Sequence, residues 1–133
     1  MRIYFDENFS HRIVAGMREF QQAKPSEGVT VIWAPDEFGR GAADEDWIPQ
    51  VAAKHGIIIT QDLNIHRISA QWELCQRNKV GLFFFKPPRG GWGFWNIIRE
   101  VVNRWDEIKS LSEKQKRPFG YMVEHHRKQM RPL

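Results

Sequence analysis

The sequence predicts a single α/β domain in which helices flank both faces of a parallel β-sheet, giving three layers. Segments typical of strands and helices alternate along the chain, as they do in right-handed β–α–β crossovers. Two strand segments, Ile57–Thr60 and Val80–Phe85, are almost entirely apolar, which indicates burial on both faces of the sheet. The chain has 133 residues and no repeat or linker, so one domain over residues 1–133 is expected.

The first two strands enclose a helix. Ile3–Phe5 is an apolar run typical of a strand. Ser10 is predicted to cap the helix, because apolar residues follow it at helical spacing: Ile13, Val14, Met17 and Phe20. Turn residues at Lys24–Gly28 then separate this helix from a second strand at Val29–Trp33, which is rich in β-branched and aromatic side chains.

The middle of the chain predicts two more helices around the third strand. Pro35–Ala43 is expected to be a loop. A helix then opens at Asp44 with three acids in its first turn, where the helix dipole stabilises negative charge, and Gly56 follows as a stop signal. Ile57–Thr60 is the third strand, and another helix is predicted from about Ile68 to Arg77.

The last third of the chain predicts a fourth strand at Val80–Phe85, a loop at Lys86–Gly91 and a long core-facing helix. The helix has apolar residues at i, i+3, i+4 and i+7 over four turns: Phe94, Ile97, Ile98, Val101, Trp105 and Ile108. Phe119–Val123 is predicted to be a half-exposed edge strand. The aromatic residues at the helix start are expected to pack in the core, with base stacking as the alternative: Trp92, Phe94 and Trp95.

The charge is unevenly distributed along the chain. The formal net charge is +4, and residues 109–133 hold 7 of the 20 Lys and Arg but only 2 of the 16 Asp and Glu. This basic C-terminal segment either binds the phosphates of a polyanion or is a solvated tail, and the sequence leaves both open. Its candidate RNA-binding residues are Lys116, Arg117, Arg127 and Lys128.

The only cysteine, Cys75, cannot form an internal disulfide and is expected to be a small buried side chain in a reducing compartment. The sequence shows neither a signal-peptide pattern nor an apolar run of the roughly 20 residues that span a bilayer. We therefore expect a cytoplasmic protein that does not act at a membrane.

Three acids are predicted to meet at one edge of the sheet. Asp6 follows the first strand, together with Glu7, and Asp62 follows the third. Asp44 begins a helix whose N-terminus lies on that same side, where parallel α/β sheets bind ligands. Crowded carboxylates repel one another unless a cation compensates, and oxygen ligands suit Mg²⁺ or Mn²⁺ better than zinc. Such a site favours hydrolysis of a phosphodiester.

The segments Ile3–Asn8, Asp44–Ile48 and Ile58–Asp62 resemble the PIN-like nucleases, and within them the small VapC-type toxins. The resemblance covers about the first two-thirds of the chain. It implies a PIN-like fold, a ribonuclease that uses Mg²⁺ or Mn²⁺, and an antitoxin protein that blocks the site. Carried over by position, Asp6, Asp44 and Asp62 are the catalytic and metal-binding acids. Many relatives have a fourth acid where this chain has Asn64, which removes one metal ligand.

The sequence does not decide the roles of the accessory residues or exclude two other functions. Arg40, Arg67 and Lys86 either contact a substrate phosphate or are ordinary surface side chains; Glu7 and Asn64 are accessory candidates. The alternative function is a weak or inactive PIN-like module that binds RNA or protein. A receiver-like signalling domain is a third choice, and the missing strand between Asp62 and Lys86 argues against it. Expected partners are RNA and an antitoxin, and a homodimer is left open.

Overall fold

Six strands form one sheet in the computed structural model, which describes all 133 residues. The strands are β1 (Arg2–Phe5), β2 (Thr30–Trp33), β3 (Ile57–Thr60), β4 (Gly81–Phe85), β5 (Phe119–Val123) and β6 (Arg131–Pro132). Their order in the sheet is β2–β1–β3–β4–β5–β6. The first five are parallel and β6 is antiparallel to β5.

Five α-helices cover the two faces of this sheet. They are α1 (His11–Gln22), α2 (Ala34–Phe38), α3 (Asp44–Ala53), α4 (Ile65–Asn78) and α5 (Phe94–Lys114). Buried residues of α1 and α5 pack against one face, and those of α3 and α4 pack against the other. The predicted three-layer α/β fold with a parallel sheet is therefore confirmed. None of the helices has the length and apolar character that a membrane span requires.

The two cores follow from the alternation of side chains along the strands. Ile3 and Phe5 of β1 lie in the α1/α5 core, whereas Tyr4 between them lies in the α3/α4 core. β3 repeats the pattern, with Ile57 and Ile59 on one face and Ile58 on the other. The central strands are thus buried on both faces, which explains their unbroken apolar runs.

Two helices differ from the sequence prediction. The expected loop at Pro35–Ala43 contains α2, whose first turn has a proline and two acids, all of which favour a helix start. α4 begins one turn earlier than predicted, because the Asn64 side chain caps it by accepting hydrogen bonds from the His66 and Arg67 N–H groups. Its apolar periodicity starts only at Ile68, the first buried residue of the helix.

The C-terminal segment is folded onto the body of the protein. β6 pairs with β5, so β5 is not the edge strand that the sequence predicts. Arg104 of α5 is only 7% exposed and its guanidinium donates hydrogen bonds to the carbonyls of Glu124, Arg127 and Lys128. These bonds hold the chain between β5 and β6 against α5, so this segment is an ordered part of the fold.

The aromatic residues at the start of α5 are placed differently from one another. Trp92 is partly buried against the α1/α5 core, as expected. Phe94 and Trp95 are 50% and 66% exposed, so the prediction that they pack in the core is wrong. The buried face of α5 begins only at Ile97, so the first turn of the helix contributes little to the core.

Because β5 lies close to Gly81 of β4, any side chain at this position is expected to lower the stability of the fold. A Cβ at this position would lie 2.2 Å from the Phe119 ring, so Gly81→Ala should lower the free energy of unfolding by about 1–3 kcal/mol. Gly16→Ala is the control, since a Cβ at this α1 position meets no atom within 4 Å, and it should stabilise by about 0.5–1 kcal/mol. Urea unfolding measures both. Equal stability of Gly81→Ala and wild type would contradict this contact.

Candidate active site

Asp6 is fixed at the carboxyl edge of the sheet by two neighbouring strands. Its backbone N–H donates to the carbonyl of Ile59 at 3.0 Å, which extends the β1–β3 pairing by one residue. Its carboxyl group accepts hydrogen bonds from the Thr60 hydroxyl and, at 3.0 Å, from the Asn8 N–H. The Asp6 carboxyl group therefore has a defined position before any ligand binds.

Burial changes the acidity of Asp6. The residue is 4% exposed, and the loss of solvation raises the pKa of its carboxyl group to about 7. Hydrogen bonds from Thr60, from the Asn8 N–H and from the Gln71 side chain lower this pKa, and so does the charge of Arg67. A cation bound at this carboxyl group would favour the ionised form further.

Asp44 is the first residue of α3 and lies at the same edge of the sheet. Its Oδ1 accepts a hydrogen bond from Trp47 Nε1 at 2.9 Å, and its Oδ2 has no hydrogen-bond partner within the protein. Partial burial raises the pKa of Asp44, against the lowering effects of the Trp47 hydrogen bond and the Arg67 charge. The nearby Glu45 and Asp62 raise it further. Asp44 is therefore a partly buried acid whose charge interacts with Arg67 as well as with two neighbouring acids.

Asp6 and Asp44 line one small pocket, together with Glu7 and Arg67. Its volume is about 20 Å³, which is room for one water-sized species. The two predicted acids lie 38 residues apart in sequence; strand β1 and the start of α3 bring them together. We call this the acidic pocket.

Asp62 follows β3 and is joined to the acidic pocket through Arg67. Its Oδ2 lies 3.4 Å from Arg67 Nε and also accepts from Asn8 Nδ2 at 3.3 Å. Its Oδ1 accepts from the Asn64 N–H at 2.8 Å. Because Arg67 also lowers the pKa of both other acids, its guanidinium acts as the shared positive charge of all three.

The acids do not form a complete metal cage. No group of three or more His, Cys, Asp or Glu side chains is arranged to hold a metal ion. Mg²⁺, however, commonly takes only one or two carboxylates and fills its other positions with waters and substrate phosphate. The oxygen-only donor pair of Asp6 and Asp44 in one pocket fits a cation of that type. A joint role of all three acids in metal binding stays a prediction.

The accessory candidates have different surroundings. The Glu7 carboxylate accepts from the Gly41 N–H at 3.0 Å and so holds the loop that carries Arg40. The Arg40 guanidinium lies 4.9 Å from the centre of the Trp33 ring, a cation–π distance. Lys86 is exposed and lines a groove that also contains Asp62.

Of the predicted RNA-binding residues in the C-terminal segment, some already bind other groups of the protein. Arg117 donates to the backbone carbonyls of His55 and Gly56 at 2.6 and 2.9 Å, which is a bond within the fold. Arg127 forms an ion pair of 3.6 Å with Glu124. Two residues are exposed and have no ion pair: Lys116 and Lys128.

Sequence reasoning missed two polar residues beside Asp6. Thr60 ends the apolar run of β3, and its hydroxyl reaches Asp6 because β1 and β3 are neighbours. Gln71 is 1% exposed and lies on the buried face of α4. A polar residue on the apolar stripe between Ile68 and Cys75 was the available signal.

One comparison with known proteins identifies the family of the chain. A family model described as "PIN like domain" matches residues 1–87. The chain belongs to the PIN-like domain family. The matched part of this PIN-like domain contains all three acids and Arg67, and it ends just after β4, before α5 and the two last strands. Membership indicates a nuclease-type function in general. None of the curated proteins and none of the solved structures matches the chain.

Proposed function

We propose that this PIN-like domain is an endoribonuclease that hydrolyses RNA with Mg²⁺ or Mn²⁺ as cofactor. The observation that supports the proposal most is that Asp6 and Asp44 line one pocket at the carboxyl edge of the sheet, where α/β folds bind their ligands. When bound, the divalent ion would supply the Lewis acidity that phosphodiester hydrolysis requires. Asp6 and Asp44 would hold it, with Asp62 as the predicted third ligand.

The other residues of the site have supporting roles in this proposal. Thr60 and the Asn8 N–H keep the Asp6 carboxyl group in place, so little ordering is needed when the cation binds. The free Oδ2 of Asp44 is available as a ligand. Arg67 offsets the negative charge of the acids and would contact a substrate phosphate in this proposal.

A cleavage assay with metal removal and add-back tests the proposal. A labelled single-stranded RNA should remain intact in EDTA and be cut after Mg²⁺ or Mn²⁺ is added in excess. Internal products would identify an endonuclease. Cleavage that persists in EDTA would show that the activity needs no divalent ion and would overturn the metal-dependent mechanism.

The incomplete metal cage favours a second candidate, a weak or inactive PIN-like module that binds RNA or protein. Asn64, at the position of a fourth acid in many relatives, serves instead as the cap of α4. If the purified protein binds RNA but shows no cleavage with either metal, this second candidate is correct.

Asn64→Asp tests whether the absent fourth carboxylate limits metal binding, because it adds that carboxylate while keeping the cap of α4. Aspartate caps helices as well as asparagine does, so stability should be kept while one carboxylate is added near Asp62. We expect the Mn²⁺ concentration that gives half-maximal cleavage to fall. Asn64→Ala is the control, since loss of the cap should cost about 1 kcal/mol in unfolding without improving cleavage. An unchanged Mn²⁺ requirement in Asn64→Asp would show that this position does not limit metal binding.

We further propose that the protein is the toxin of a toxin–antitoxin pair and acts on RNA in the cytoplasm. The support is the resemblance of its three acidic segments to VapC-type toxins. Induced expression of the wild type should arrest bacterial growth, and expression of Asp44→Asn to the same level should not. Normal growth with the wild type, or arrest with both proteins, would contradict the toxin role.

A further inference from the structure

Two exposed aromatic side chains lie at the carboxyl edge of the sheet, away from the acids. Phe94 and Trp95 begin α5, with their rings edge to face at 5.2 Å. They lie at this edge because α5 starts after the end of β4 and must run back to the start of β5, which is parallel to β4. Both rings are at least half exposed, so the pair contributes little to the core.

A groove lies beside Asp62, next to the loop that precedes this aromatic pair. Its lining includes Asn8, Asp62, Pro87 and Trp92, so it lies between the acids and the segment that precedes Phe94. Its volume is about 310 Å³, within the size range of small-molecule sites and large enough for one nucleotide unit. Asp62 is bound to Arg67 of the acidic pocket, and Trp92 lies two residues before Phe94. The groove is therefore bordered by the acids and by the segment that carries the aromatic pair.

The chain segment that carries the aromatic pair is basic up to Glu100, the residue that follows it. Residues 86–99 contain three basic side chains and no acid. All three are exposed: Lys86, Arg89 and Arg99. Positive charge beside open aromatic faces is the combination that binds single-stranded nucleic acid, because phosphates pair with the cations while unpaired bases stack on the rings. A duplex hides its base faces and cannot stack in this way.

We propose that Phe94 and Trp95, with the basic loop before them, bind single-stranded RNA whose chain continues through the groove to the acidic pocket. This inference rests on the proposed ribonuclease function and adds the surface that selects an unpaired substrate. In this proposal one strand lies in the groove and stacks on the aromatic pair, since both belong to the carboxyl edge of the sheet that also holds Asp6 and Asp44.

Binding measured without metal tests the surface separately from catalysis. Fluorescence anisotropy of a short labelled single-stranded RNA in EDTA should show that Phe94→Ala/Trp95→Ala binds about 5- to 150-fold more weakly than the wild type, the range expected for losing one base stack. Affinity for a duplex of the same sequence should not fall. Phe20→Ala is the matched control, since Phe20 is 68% exposed near the end of α1, at the opposite edge of the sheet, and should bind like the wild type.

Three results would contradict the proposal that this surface binds single-stranded RNA. They are absence of single-strand binding by the wild type, equal affinity of wild type and double variant, and a double variant that loses self-association instead of RNA affinity in sedimentation. The last would identify the pair as an interface between copies. If the double variant binds RNA more weakly and the wild type never cleaves RNA, RNA binding by this surface is supported and only the proposed nuclease activity is contradicted.

Discussion

Asp6→Asn should reduce the cleavage of single-stranded RNA by about 100-fold or more, because it removes the charge that would hold the divalent ion. Asparagine keeps the size of the side chain and one acceptor oxygen for the Asn8 N–H. Its amide can donate to the Thr60 hydroxyl, which now donates to Asp6. The variant should therefore fold normally and lose activity alone.

Single-turnover cleavage in saturating Mn²⁺ measures this effect on the reaction itself. Asp106→Asn is the control, since it makes the same chemical change at a fully exposed acid of α5 and should leave the rate unchanged. If the Asp6→Asn protein is as active as the wild type, the nuclease proposal is wrong and the binding module is the remaining candidate.

The metal-free protein should lose up to about 4 kcal/mol of stability through Asp6 alone as the pH rises from about 4 to about 8. The pKa of Asp6 in the folded state is about 7, above the value of about 3.9 in an unfolded chain. Between pH values of about 4 and about 7, the folded state therefore binds more protons than the unfolded state. The stabilisation is fully present below about pH 4 and is lost as the pH rises through about 7.

Urea unfolding in EDTA at several pH values isolates this effect as the difference between wild type and Asp6→Asn. At low pH the two should be similarly stable, and near pH 8 the neutral variant should be the more stable. Asp106→Asn should follow the wild type throughout. A difference that does not depend on pH would mean that Asp6 is not the titrating group. Mn²⁺ should raise the stability of the wild type near pH 8 and not that of Asp6→Asn.

Local features of the sequence predicted much of the fold. β3 has its predicted bounds, Ile57–Thr60, because an apolar run between a glycine and polar residues leaves little choice of ends. Ser10 caps α1 as expected, with its hydroxyl accepting from the Arg12 N–H at 3.2 Å. In both cases the deciding interactions lie within a few residues of each other, so the pattern is visible in the chain itself.

Features that depend on distant contacts were missed or misplaced. β6 is only two residues long and exists because β5 lies beside it. Arg104 looks like an ordinary polar position of α5, yet it binds carbonyls 20 or more residues away. The exposure of Phe94 and Trp95 depends on where the packed core begins along α5, and helical periodicity alone does not contain that information.

In the candidate site, the acids that follow strands or open a helix can be read from the sequence, and the common direction of parallel strands predicts that Asp6, Asp44 and Asp62 share one edge. Folding was needed to show that Asp6 and Asp44 line the same pocket, that Thr60 binds Asp6 and that Arg67 lies among the acids. Burial and charge pairing act through space between separate elements, whereas capping, turn formation and periodicity act along the chain.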